Sequence, residues 1–270
     1  MNKLLLAKNV VEAKALSQQA NRGRCRRICK AAYTTDMDSP LEDVAQRYWM
    51  ELTAHMLPGA VLSHRTAIEL KPHKGSVYVT GQRRRNITLP GLIIRSVEGE
   101  TEWGVEQLTP TLRRTSLERR CLENLQPARE RQGTKRTLGI ESVEGELSKT
   151  MQRQGEQAII ALRQQARSLA PKLGLEKELQ KMDSLIGALL ATRPDDGILQ
   201  TPMGKALARK EPYDAYRLQQ LQDLSLYLRN CHFLDRPQPY QKSVWRNQSF
   251  FESYFSNYIV RFRQPLLNWK

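Results

Sequence analysis

Residues 75–99, GSVYVTGQRRRNITLPGLIIRSVEG, change hydrophobic period inside a chain whose other apolar residues recur at helical spacing. SVYVT, NITL and LIIRSV are β-rich runs separated by Gly and Pro turns, the pattern of a small antiparallel meander. The loop GQRRRN puts Arg83, Arg84 and Arg85 together at its tip. Such a triplet is either a solvated hairpin tip or a clamp on phosphates.

Helical patterns surround this block. SPLEDVAQRYWMELTAHML predicts a helix with Ser39 as N-cap, Pro40 at the first helical position and Glu42 completing a capping box. Its buried stripe is Leu41, Val44, Tyr48, Leu52 and Met56. Ser63 caps a further short helix, and the neighbouring His64 reads as a structural hydrogen-bonding residue, because no Ser, Cys or acid constellation accompanies it. Thr115 and Glu118 predict another capping box, with Leu117, Cys121, Leu122 and Leu125 turned inward. Ile159, Leu162, Ala166 and Leu169 keep helical phase, as do Leu175, Leu179, Met182, Ile186 and Leu189, with Pro171 and Gly174 between the two stripes. YDAYRLQQLQDLSLYLRN is one more amphipathic helix, and a bundle is the natural arrangement for such elements. Asp195 and Asp196 read as turn formers.

At the start of the chain, residues 3–21 predict two short helices, with Leu4, Leu5, Leu6, Val10, Val11, Leu16 and Ala20 supplying apolar faces and Asn9 capping the second. NRGRCRRICKAAYTT follows, with Gly23 as a turn or C-cap residue and a strand-like alternation beyond it. Arg22, Arg24, Arg26, Arg27 and Lys30 crowd into it. Helix, helix, basic hairpin is the order of a minimal winged helix-turn-helix, whose wing lays cations along phosphates. The same residues also suit a basic surface hairpin. The expected fold class is mostly α with a small β part. It divides into a winged helix-turn-helix (1–36), a small α+β region (37–108), a helical region (109–248) and a lead-in helix with a tail (249–270).

Charge supports a polyanionic partner. Lys and Arg total 43 against 28 Asp and Glu, a formal net charge of +15, and excess positive charge favours phosphates through counterion release. Double-stranded DNA is the partner expected. No run is long and apolar enough to suggest a membrane span and no signal-peptide pattern is seen, so the expected location is cytoplasmic. Four cysteines without ligand-like spacing read as buried thiols rather than a disulfide framework or a metal site. No phosphate-binding Gly-Lys-Ser/Thr loop, Gly-x-Ser-x-Gly elbow or metal-spaced His pair occurs, so neither an enzyme activity nor a cofactor is expected.

RGRCRRICKAAYT, PGAVLSHRTAIEL and VYVTG resemble the winged domain and following α/β region of AbiEi-type antitoxin regulators. Such regions stand at the front of some long Fic-family proteins. LERRCLENLQPARERQGTKRTLG through MDSLIGALLATR is similar to the helical continuation there, and FFESYFSNYI to the segment ahead of the Fic catalytic domain. The resemblance implies a toxin–antitoxin setting and transcription regulation. It makes Ser256 the remnant of an inhibitory motif whose Glu and Gly are replaced by Val260 and Arg261. Family wings carry glycine where this chain has Ala31, which implies strain in the turn. The His-Pro-Phe and Gly-Asn-Gly-Arg signature of the catalytic domain is absent from the sequence. Phe251, Phe255, Tyr258 and Phe262 form an aromatic stripe that reads as the lead-in to a lost catalytic domain, or else as a helix docked on its own bundle. Basic hairpin, charge and resemblance together leave three readings: a non-catalytic DNA-binding regulator or regulatory remnant of a Fic-type protein, an interaction or inhibitory module for a separate Fic-type catalytic chain, and an enzyme fragment with no present function.

Overall fold

The computed structural model describes residues 3–130, 133–211, 214–231, 250, 253 and 254. Near the N-terminus, β1 (Leu4–Leu6) and β2 (Arg26–Cys29) flank β3 (Ala32–Thr34) in an antiparallel sheet. Between β1 and β2 runs α1 (Val10–Asn21), capped as expected by Asn9, whose Oδ1 accepts the Glu12 N–H at 2.9 Å. Gly23 takes φ +71°. That left-handed backbone lets the amides of Gly23 and Arg24 reach the carbonyls of Ala20 and Gln19, both at 3.0 Å.

Residues 3–21 are therefore one strand and one helix, not two helices. Three leucines just ahead of a cap are too few to nucleate a helix, whereas as a strand they complete the hydrogen bonding of β3. Without a second helix the expected helix-turn-helix pair does not form in this region. Val10 and Val11, expected on an apolar face, are 85% and 78% exposed. Neither Lys30 nor Ala31 adopts a positive φ, so the turn accommodates Ala31 without the expected strain.

Helix α2 (Leu41–Arg47) and helix α3 (Trp49–Met56) replace the single helix expected after Ser39, with a break at Tyr48. The cap also differs. Pro40 holds the N-cap position, and the Ser39 amide donates to Asp36 Oδ1 at 3.0 Å. Val44 and Leu52 are fully buried, as the stripe requires.

The larger sheet corrects the expected meander. β4 (Val61–Leu62), β5 (Ser76–Gly81), β6 (Arg85–Leu89), β7 (Leu92–Glu98), β8 (Val105–Thr109) and β9 (Leu112–Thr115) lie in the order β6-β7-β5-β4-β9-β8. β5 and β7 are parallel, and among the described residues β6 pairs with β7 alone. The sequence explains the order. Every residue of β5 is buried and β7 alternates buried with half-buried positions, so these strands take the interior. RNITL, exposed at Arg85, Asn86 and Thr88, takes the edge. Of the β8–β9 hairpin, β8 falls almost wholly within the expected α+β region and buries no residue, whereas β9 lies where a helical region was expected. The chain is accordingly α+β, 50% helical and 18% strand, rather than mostly α with a small β part.

α4 (His64–Glu69) follows β4, and α5 (Leu117–Asn124) follows β9. Thr115 is the buried end of β9, and Ser116 occupies the N-cap of α5, one residue later than expected. The helices α6 (Ile140–Gln154), α7 (Glu156–Leu173) and α8 (Glu176–Leu189) then pack with α5 around Leu122, Leu147, Ile159, Ala166, Met182 and Ile186. Apart from Leu169, which is buried beside Gly104, the predicted stripes of α7 and α8 point into this core. Gly104, at φ +61°, lies where the chain passes α7. A Cβ there would stand 2.5 Å from Leu169 Cδ2, so only glycine fits.

α9 (Pro202–Ala208) is tied to α6 by Glu144, which is fully buried. Its carboxylate accepts the amides of Gln200 at 2.7 Å and Thr201 at 2.9 Å, and the Thr201 hydroxyl at 2.5 Å. Asp195 forms the expected turn, its Oδ1 accepting the Leu199 amide at 2.7 Å.

The chain divides into two compact units, Met1–Tyr213 and Asp214–Lys270. In the second, α10 (Ala215–Asn230) is capped by Asp214 and carries exposed Leu221, Leu224 and Tyr227. Phe251, Phe255, Tyr258, Phe262 and Ser256 lie outside the described residues.

Glu144→Ala removes the buried acceptor for two part-buried amides and a hydroxyl. Hydrogen bonds to charged groups contribute about 1.5–3 kcal/mol each and do not add fully. The expected loss is about 3 kcal/mol in urea unfolding, with secondary structure intact. A change below about 0.5 kcal/mol contradicts this role.

Candidate nucleic-acid interface

A chain with this excess of cations must place them somewhere. The structure separates those bonded internally from those left in water. Arg26, expected on the phosphate-binding wing, is half-buried. Its Nε donates to the Asp36 carbonyl at 2.8 Å, and its Nη2 donates to the Ser39 carbonyl. It fastens the small sheet to the segment entering α2. Alternation along β2 places Arg26 and buried Ile28 inward and Arg27 outward.

Arg22, Arg24, Arg27 and Lys30 are exposed. None has an ion-pair partner among the described residues. Arg27 Nε reaches only the nearby Cys29 carbonyl, at 3.2 Å. Lys30 sits in the β2–β3 turn, while Arg22 follows the last residue of α1, where a cation also offsets the helix dipole. Cys25 is buried against α1, its thiol donating to the Leu16 carbonyl at 3.7 Å, and burial pushes its pKa up. These features leave exposed cations at the end of α1, in the loop before β2, on β2 and in the β2–β3 turn.

Arg83, Arg84 and Arg85 are also exposed and form no ion pair among the described residues. They do not cap a hairpin, because β5 and β6 are not paired. Arg85 begins β6 opposite Ser96, and Arg83 offers its carbonyl to the Ser96 hydroxyl at 2.9 Å.

A second polar region centres on α5. Arg119 and Glu123 are both buried, with Nε and Oε1 2.8 Å apart. Arg119 Nη1 donates to the Trp103 carbonyl at 2.6 Å, and Nη2 to the Glu100 carbonyl at 2.7 Å. The other oxygen of Glu123 accepts the His64 amide at 3.0 Å. His64 is buried at φ +51°, with Nδ1 2.9 Å from the Ser63 hydroxyl. Burial holds its imidazole below the ordinary value, with Arg136 and Arg119 acting in the same direction and Glu123 opposing. These groups line a cleft of about 720 Å³.

This arrangement supports structure better than chemistry. The three hydrogen bonds of Arg119 engage all three guanidinium nitrogens, and the thiol of nearby Cys121 is pushed up to about 12 by burial, far from a nucleophile. Sequence reading singled out His64 but missed Arg119 and Glu123, whose i,i+4 spacing looks like a surface pair. Among the described residues, no group of three His, Cys, Asp or Glu could hold a metal ion. No described helix is long and apolar enough to cross a membrane.

The chain matches no protein-family model, no curated protein and no solved structure.

His64 gives a pH prediction. Its folded pKa lies below the ordinary 6.5. As pH falls past about 6.5 the unfolded chain binds the proton first, so stability declines until the folded value is reached. His64→Asn keeps a residue tolerant of the left-handed backbone and removes this titration. The variant should lose less melting temperature than wild type between pH 7 and pH 5. An equal loss places the acid sensitivity elsewhere.

Proposed function

We propose that this chain is a non-catalytic, DNA-binding regulator that acts in the cytoplasm. One observation carries the proposal: Arg22, Arg24, Arg27 and Lys30 are exposed between the end of α1 and the β2–β3 turn, and form no ion pair among the described residues. Exposed cations without acidic partners gain most when counterions leave a neighbouring phosphate backbone. The net charge of +15 acts in the same direction. The hairpin edge is narrow and its long side chains suit phosphates, so its contribution is positioning and affinity more than base reading. The resemblance to the front end of Fic-family proteins carries the same regulatory reading. The absent Fic signature makes the chain alone incompetent for nucleotide transfer.

The alternative, a docking module for a separate Fic-type catalytic chain, draws on α10. Its Leu221, Leu224, Leu226 and Tyr227 are each at least half exposed, at 61%, 50%, 58% and 66%. DNA binding without any effect of α10 substitutions separates the two readings.

Replacing Arg22, Arg24, Arg27 and Lys30 by Gln should flatten the slope of log affinity for duplex DNA against log salt by roughly three to four units, since each phosphate contact contributes about 0.9. Arg26→Gln should leave that slope unchanged and lower stability by about 1–3 kcal/mol, because it strips buried-carbonyl hydrogen bonds. An unaltered slope in the fourfold variant contradicts the assignment.

Incubation with labelled ATP and magnesium should leave no label on protein. Label that survives denaturation contradicts the non-catalytic reading.

A further inference from the structure

Alternation along the central strands sends Val77, Val79 and Ile94 into the hydrophobic core and leaves a polar row on the opposite face. Tyr78 and Asn86 are both register partners of Arg95, so the three residues stand side by side across β5, β7 and β6. Pro127, Ala128, Arg129, Thr134 and Arg136, from the connector after α5, border this face. Thr134 Oγ1 lies 3.0 Å from the Tyr78 hydroxyl, and Lys74 Nζ donates to the Gly133 carbonyl at 3.1 Å. Between sheet and connector lies a cleft of about 460 Å³. Among the described residues, four arginines line it, Arg84, Arg95, Arg129 and Arg136, against one carboxylate, Glu98.

We propose that this cleft binds a small molecule through a phosphate group. Three observations carry the proposal, and none depends on the DNA-binding reading. Like charges gathered in a concave, partly desolvated space repel one another, and an anion removes that repulsion. Two of the guanidinium groups are available. Arg84 and Arg129 are exposed and form no ion pair among the described residues. Arg136 also lines the cleft, and its one side-chain hydrogen bond among the described residues runs from Nη2 to Gln126 Oε1 at a long 3.3 Å, so the guanidinium is only partly engaged. The fork of a guanidinium matches two oxygens of one phosphate, and the paired hydroxyls of Tyr78 and Thr134 supply neutral contacts beside it.

Size decides between a small ligand and a nucleic-acid backbone. The volume falls within the range of small-molecule clefts, and a recess between sheet and connector admits a terminal phosphate more readily than the convex surface of a duplex. The ligand class is a phosphate monoester, represented by AMP, with inorganic phosphate as the probe of the phosphate group alone.

Calorimetric titration of the full chain with inorganic phosphate, with AMP and with sodium chloride at matched ionic strength tests the proposal. Phosphate or AMP should bind where chloride does not. The exposed-site variant Arg84→Gln/Arg129→Gln should weaken that binding at least tenfold while keeping the wild-type melting temperature, and Arg24→Gln/Arg27→Gln should leave it unchanged. AMP binding tighter than phosphate identifies a nucleotide as the ligand type, and equal binding identifies the phosphate group alone. Each of these supports the site. Phosphate and AMP binding no better than chloride overturns it, even if duplex DNA binds. Undiminished binding in the Arg84/Arg129 variant, or loss caused by the Arg24/Arg27 variant, also overturns it.

Discussion

A buried charge cannot stand alone, and the Arg119–Glu123 pair shows how this fold meets that requirement. Removing either partner would leave the other uncompensated in a poorly solvated place, at a cost of about 3–5 kcal/mol. The pair is therefore held as a unit, and its remaining hydrogen bonds fix what surrounds it. Arg119 holds the carbonyls of Glu100 and Trp103, which positions the turn between β7 and β8. Glu123 holds the His64 amide at the start of α4. One helix turn thus joins the mixed sheet to the helical layer within the first unit.

The same rule sorts the remaining cations. Arg26 is fastened to two carbonyls; Arg114 and Arg120 share Glu106, and Arg163 and Arg167 share Asp183. These arginines are parts of the scaffold. Among the cations that form no ion pair with a described residue, two groups bear on the proposals. One is Arg22, Arg24, Arg27 and Lys30, between the end of α1 and the β2–β3 turn. The other is Arg84 and Arg129, which line the cleft beside the connector after α5. An exposed patch and a cleft suit different anions, so the two proposals are tested with different ligands.

Local pattern made the α7 and α8 stripes legible, because a face that repeats over several turns admits one burial solution. The inward set Cys121, Leu122 and Leu125 was legible for the same reason. Strands within 76–98 were recognisable from composition, but their order was not. Whether β7 inserts between β5 and β6 depends on which strand can bear a polar edge, a comparison between segments that no single window contains. Leu4–Leu6 fits a helix or a strand equally well until β3 is present to pair with it. The β8–β9 hairpin buries little and leaves almost no apolar signal, and α6 was hidden because half of its inward positions are Glu144 and Ser148. The clustered arginines were visible in sequence. Their division was not, since Arg26 and Arg27 differ only in the face of the strand each occupies.

That division is the centre of the account, and residue-resolved modification of arginine by phenylglyoxal, read by mass spectrometry with and without duplex DNA, tests it most directly. In the free protein Arg22, Arg24, Arg27, Arg84 and Arg129 should react readily, while Arg26 and Arg119 stay unmodified. Added duplex should protect Arg22, Arg24 and Arg27 and leave Arg129 reactive. Ready modification of Arg26 or Arg119 in folded protein, or DNA that protects none of the hairpin arginines, would contradict the account.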